Sequence, residues 1–93
     1  RLKPDLPEAR FKLARALEAS GDHTGAVIEY NRALGLPWRR EDLKAIYRNL
    51  GRALAGLGMY EDSIVSLEEA QKLDPDDADT ARDLALARRM TGR

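Results

Sequence analysis

The chain has 93 residues, 43% hydrophobic and 34% charged, which is enough for one folded domain and too apolar for a disordered segment. Its 16 Lys and Arg balance 16 Asp and Glu, so no net field draws the whole molecule to nucleic acid, and no apolar run reaches membrane-spanning length. The absence of Cys excludes disulfides, thiol chemistry and Cys-based metal sites, and leaves the redox compartment open.

Pro7 suits a first helical turn, and Leu13, Ala14 and Leu17 recur at helical spacing up to the stop at Ser20-Gly21-Asp22. Asp22 can cap a second helix, whose Ala26, Val27, Tyr30, Ala33 and Leu34 form an apolar stripe ending at Gly35 and Pro37. A third helix is predicted from about Glu41 to Gly56, with Ile46, Tyr47, Leu50, Gly51 and Leu54 inward and a turn at Gly58. The fourth carries Ile64, Leu67, Ala70 and Leu73 and stops at Asp74-Pro75. Asp76 or Asp77 then caps a fifth helix running through Leu84 to about Met90. The first helix should pair with the second and the third with the fourth, with the fifth packed on that second pair. Leu13, Leu17, Tyr30, Leu50, Leu54, Leu67 and Leu84 are expected in the core.

These elements repeat in register. Leu13 to Leu50 and Gly21 to Gly58 are both steps of 37 residues, while Leu50 to Leu84 and Gly58 to Gly92 are both steps of 34. Leu2-Lys3-Pro4-Asp5 matches Leu73-Asp74-Pro75-Asp76 at a separation of 71, the two steps combined, so one register runs from end to end. Periods of this length mean stacked helical hairpins. The whole of 1–93 reads as one domain, with a first repeat at about 7–40, a second at about 44–77 and a terminal helix at about 77–91, excerpted from a longer protein. The longer first step inserts three residues near Leu36 to Arg40, lengthening either the loop or the start of the third helix. Trp38, inside that insertion, is expected to pack over the helix pair, and His23 to occupy the turn between the first two helices. Arg88 stands where Leu17 and Leu54 stand, which suits the outer face of a terminal, capping helix.

The residues resemble the tetratricopeptide repeat, whose signature is W-x2-L-G-x2-Y, then A-x3-F, then a closing P. The second repeat reads Tyr47-x2-Leu50-Gly51-x2-Leu54, Ser63-x3-Leu67-x2-Ala70 and Pro75; the first reads Arg10-x2-Leu13-Ala14-x2-Leu17 and Ala26-x3-Tyr30-x2-Ala33. The resemblance implies an all-α, right-handed superhelical array of antiparallel helix hairpins, about two and a half repeats in five helices. It also implies that the first helix of each repeat lines the concave face.

On that face, at 100° per residue, Glu8, Phe11, Lys12 and Arg15 lie opposite Leu13 and Leu17. The equivalent positions hold Ala45, Arg48, Asn49 and Arg52, then Asp79, Arg82, Asp83 and Leu86. The candidate peptide-binding residues are therefore Phe11, Lys12, Arg15, Arg48, Asn49, Arg52 and Arg82, opposed by the acids Glu8, Glu18, Asp79 and Asp83. The family's clamp for chaperone C-terminal tails uses Lys, Asn, Asn, Lys and Arg; here those positions hold Phe11, Arg15, Asn49, Asp79 and Asp83, so only Asn49 agrees and no chaperone-tail receptor is expected.

The expected function is a protein–protein interaction module that presents an arginine-rich groove to an acidic peptide or protein, with no nucleic acid and no membrane insertion. Two alternatives stand beside it: a structural spacer or self-association segment of a longer array, and the docking arm of an enzyme whose catalytic domain lies outside these residues. Catalysis is not expected, because Ser20, Ser63 and Ser66 lack an elbow motif and His23 is the lone His. No cofactor or metal is expected. The run Asp74, Asp76, Asp77 and Asp79 lacks the Gly and terminal Glu of a calcium loop and reads as helix capping. A homodimer through an exposed array end, including Phe11 and Arg10, is also expected.

Overall fold

The computed structural model describes residues 7–92. Five helices follow one another: α1 (Pro7–Ala19), α2 (His23–Leu34), α3 (Arg40–Gly56), α4 (Tyr60–Leu73) and α5 (Ala78–Thr91), with no strand among the described residues. The repeat-like tail Leu2 to Asp5 lies outside them. Each first helix ends at a register-equivalent glycine in the left-handed region, Gly21 at φ +89°, Gly58 at +77° and Gly92 at +80°. An L side chain is strained there, so the recurrence of Gly in the sequence is a recurrence of one turn geometry. Asp22 and Asp77 cap α2 and α5, their carboxylates accepting from Gly25 N and Asp79 N.

Helices α1 and α2 pair, α3 and α4 pair, and α2 joins the two hairpins by packing on α3. Helix α5 lies chiefly against α4 and touches α3 only lightly, giving a particle of 51 × 26 × 17 Å. One core cluster draws Ala14 from α1, Ala26, Tyr30 and Ala33 from α2, and Ile46, Leu50, Ala53 and Leu54 from α3. A second joins Ile64 and Leu67 of α4 to Leu84 and Ala87 of α5. Full burial of a side chain the size of Leu or Ile stabilises by about 1.5–3 kcal/mol, so Ile46, Leu67 and Leu84 are the principal apolar anchors.

Helices α3 and α4 approach most closely at Gly51, where a Cβ would stand 2.6 Å from Leu67 Cγ. The buried Ser63 hydroxyl donates to Gly51 O at 2.6 Å across the same contact. A small residue on each side is what brings the two backbones together.

Several expectations change. Leu13 is 45% exposed, whereas its equivalents Leu50 and Leu84 are 5% and 1% exposed. The cause is positional: α2 covers Leu50 and α4 covers Leu84, but no described helix precedes α1. Leu17, also expected in the core, is half-buried at the rim of the first cluster. Phe11 and Arg10 do not form the open face either. Phe11 packs on the first cluster, and Arg10 pairs with Glu29 at 2.8 Å. His23 is the first residue of α2 rather than a turn residue, with its ring against Gly56. The insertion is absorbed mainly by α3: α5 begins at Ala78, whose register partner is Lys44, while α3 begins a turn earlier at Arg40. That extra turn reaches the end of α4, where Arg40 Nε donates to Leu73 O at 3.3 Å. Trp38 lies over the first hairpin as expected, its indole N–H donating to Ala33 O and its ring edge-on to Phe11 at 6.1 Å.

Candidate functional site

A groove of about 550 Å³ runs between α1 and α3, lined by Phe11, Arg15, Glu18 and Ala19 on one side and Ala45, Arg48, Asn49 and Arg52 on the other. Five of the seven residues singled out in the sequence thus come together: Phe11, Arg15, Arg48, Asn49 and Arg52. Lys12 and Arg82 do not line it. Lys12 is exposed on α1, and Arg82 is exposed on α5 with its guanidinium 2.9 Å from Asp79.

The floor on the α1 side is aromatic. Phe11 lies 6.1 Å from Tyr30 and from Trp38, centroid to centroid, in a tilted and an edge-on arrangement. The Arg15 guanidinium stacks over the Phe11 ring at 5.7 Å. Tyr30 donates its hydroxyl to Glu18 at 3.0 Å, and burial, reinforced by that carboxylate, pushes the phenol well above its ordinary range. Tyr30 is therefore a neutral donor that holds Glu18.

The three arginines of the groove are not equivalent. Arg48 lies 3.5 Å from Asp77 and 3.8 Å from Asp79, and Arg52 lies 3.8 Å from Asp83. Lys44, one turn before Arg48, bridges Asp74 at 3.1 Å and Asp77 at 3.6 Å. Its ammonium is held above its ordinary pKa by the hydrogen bond to Asp74 first, against an opposing effect of burial and with the charges of Asp77 and Asp74 in support. Asp77 is held below the usual carboxylate range, first by the Thr80 hydroxyl at 2.8 Å and then by the Asp79 N–H and the two cations. These pairs link α3 to the turn before α5 and to its first turns, and give Arg48 and Arg52 carboxylate neighbours. Among the described residues no carboxylate comes within ion-pairing distance of Arg15, which is left stacked on Phe11. It is the arginine of the groove without a carboxylate neighbour among the described residues.

The family comparison agrees with this architecture. Two family models described as tetratricopeptide repeat match residues 1–41 and 45–77. The chain belongs to the tetratricopeptide repeat family. A comparison with curated proteins returns no match. Tetratricopeptide repeats generally mediate protein–protein interaction, and the family is typically a non-catalytic scaffold.

The tetratricopeptide helices also place charges that sequence reasoning passed over. Glu29 is buried on α2 between Arg10 and Arg32, each at 2.8 Å, although it falls outside the apolar stripe read from the sequence. Only the pair Glu29 and Arg32, three residues apart on one helix, was visible as a local signal. The partner across the hairpin, Arg10, is supplied by tertiary packing. No helix of the described residues is long and apolar enough to cross a membrane.

Proposed function

We propose that this tetratricopeptide segment binds an acidic peptide in the α1–α3 groove. The observation that carries the reading is Arg15: a guanidinium stacked on an aromatic ring, at the wall of an open groove, without a carboxylate partner. A planar cation held on a ring is oriented for a carboxylate at little further entropic cost. Asn49, half-buried on the opposite wall, supplies an amide donor and acceptor for a peptide backbone. Glu18 lines the same wall but faces Tyr30, so an incoming acid seats on the side of Arg15 away from it.

The test is fluorescence anisotropy with a labelled glutamate-rich peptide over a salt titration. Wild-type affinity should fall as salt rises, since an exposed attraction is screened with a Debye length of about 8–10 Å near physiological ionic strength. Arg15→Glu should weaken binding severalfold and flatten that dependence. Equal affinity of the two proteins across the titration would end this reading.

A second reading rests on Leu13. An exposed leucine at a position covered in both later repeats is a face shaped for a helix, and a second copy of the chain is one such partner. Thermal midpoints that rise with protein concentration, and lose that rise in Leu13→Glu, would support it; a monomer by light scattering at all concentrations would remove it.

A further inference from the structure

Two of the three arginines that line the α1–α3 groove stand beside carboxylates supplied by another helix. Helix α5 sets Asp79 3.8 Å from Arg48 and Asp83 3.8 Å from Arg52, and its cap, Asp77, lies 3.5 Å from Arg48. All three separations exceed the reach of an N–H···O hydrogen bond, about 2.7–3.2 Å. The buried Arg48 Nε–H has no acceptor among the described residues. The acids are held from their own side instead. Asp77 accepts from the Thr80 hydroxyl at 2.8 Å and Asp79 from Arg82 at 2.9 Å, while Asp83 sits in the middle of α5, which packs chiefly on α4 and touches α3 only lightly. They therefore keep their places when an arginine turns to a ligand, and a ligand acid that arrives at Arg48 or Arg52 meets a fixed negative neighbour together with the guanidinium.

We propose that Asp79 and Asp83 determine which acidic ligands the groove takes: they weaken the attraction of Arg48 and Arg52 for ligand acids, so that acids beyond the one seated on Arg15 add little. This rests on the groove reading above and adds its selectivity, a single acid rather than a run of them. A surface rejects the wrong ligand by holding a like charge where that ligand's surplus charge would fall. At 3.8 Å the resident carboxylates are well inside a Debye length of about 8 Å, so physiological salt does not silence them. Register points to the same difference. Asp83 stands one step of 34 residues after Asn49, so the wall of the groove carries a neutral amide at the position where α5 carries a charge.

The experiment titrates the 93-residue protein with two Gly/Ser peptides of equal length, one with a single Glu and one with four consecutive Glu, followed by heteronuclear NMR so that weak binding is measured. The quantity read is the ratio of the two affinities. In wild type the four-Glu peptide should bind within a few-fold of the single-Glu peptide. In Asp79→Asn/Asp83→Asn the ratio should rise about three- to tenfold, the size expected when two exposed charge contacts are removed. Asp83→Asn alone, which leaves the first turn of α5 untouched, should give part of that rise. Adding Arg48→Gln and Arg52→Gln to the double variant should return the ratio to its wild-type value. Asp62→Asn/Asp76→Asn removes the same charge from exposed positions outside the groove lining and should leave the ratio unchanged. If the ratio rises in neither Asp variant, rises equally in the control pair, or stays high after both arginines are replaced, the proposal is overturned, while single-Glu binding that Arg15→Glu weakens keeps the groove reading standing. If the single-Glu peptide fails to bind, or binds Arg15→Glu as well as wild type, the groove reading falls and takes the proposal with it.

Discussion

Two glycines of α3 give the most direct test of how the array is held together. At Gly51 a Cβ would meet Leu67 Cγ at 2.6 Å, Leu67 Cδ2 at 2.8 Å and the Ser63 carbonyl oxygen at 3.3 Å. Ordinary carbon–carbon contact is about 3.5–4.0 Å, so α3 and α4 must separate by about 1 Å or Leu67 must leave its rotamer. Leu67 is 1% exposed and packed among Ile64, Leu84 and Ala87, so leaving its rotamer gives up those contacts. Overpacking of this kind costs about 2–3 kcal/mol, while Ala in place of Gly inside a helix returns about 1 kcal/mol. Gly51→Ala should therefore destabilise by about 1–2 kcal/mol and lower the thermal midpoint by roughly 4–16 °C for a domain of this size. At Gly56 the three atoms nearest the added Cβ all belong to the His23 ring, at 2.9–3.0 Å, the end of a side chain rather than backbone. Gly56→Ala should stay within about 0.5 kcal/mol of wild type. Urea unfolding followed by circular dichroism measures both. A Gly51→Ala protein as stable as wild type, with an unchanged urea slope, would refute the close approach of α3 and α4 on which the packing argument rests.

Arg48→Glu places a carboxylate beside Asp77 and Asp79, so it should lower the thermal midpoint more than Arg15→Glu does; equal midpoints for the two variants would show that the α3–α5 bridges add nothing. Asp77→Ala removes the α5 cap and should cost about 1 kcal/mol at neutral pH. Because the folded Asp77 carboxyl lies below its unfolded value of about 3.9, the ionised carboxylate's share of that cost is fully present above the unfolded value and fades as pH falls through the lower, folded one. The gap between wild type and Asp77→Ala in urea should therefore narrow between pH 5 and strongly acid solution, and a gap unchanged with pH would contradict the assignment. Ser63→Ala leaves the Gly51 carbonyl without its 2.6 Å donor and should cost about 0.5–1.5 kcal/mol in the same assay, against no change if that contact is incidental.

The sequence by itself determined the five helices and most of their ends, because those depend on neighbours in the chain; the start of α3 was left open. Register-equivalent glycines fix where each first helix stops, Asp22 and Asp77 fix where the next one starts, and apolar spacing fixes which face turns inward. It also placed Phe11, Arg15, Arg48, Asn49 and Arg52 on one face, since residues of two first helices in the same register project together. Burial depends instead on what lies across the helix, and only the tertiary structure decided that. Leu13 has the residue type of Leu50 and Leu84 and the opposite environment, because no described helix lies across from it as α2 and α4 lie across from the other two. Charge was decided in the same way. Arg15 and Arg52 are equivalent by register, but α5 brings Asp83 to Arg52, while Arg15 has only the Phe11 ring beneath it. Local pattern sets where a side chain points, and the element packed against it sets whether its charge is already satisfied.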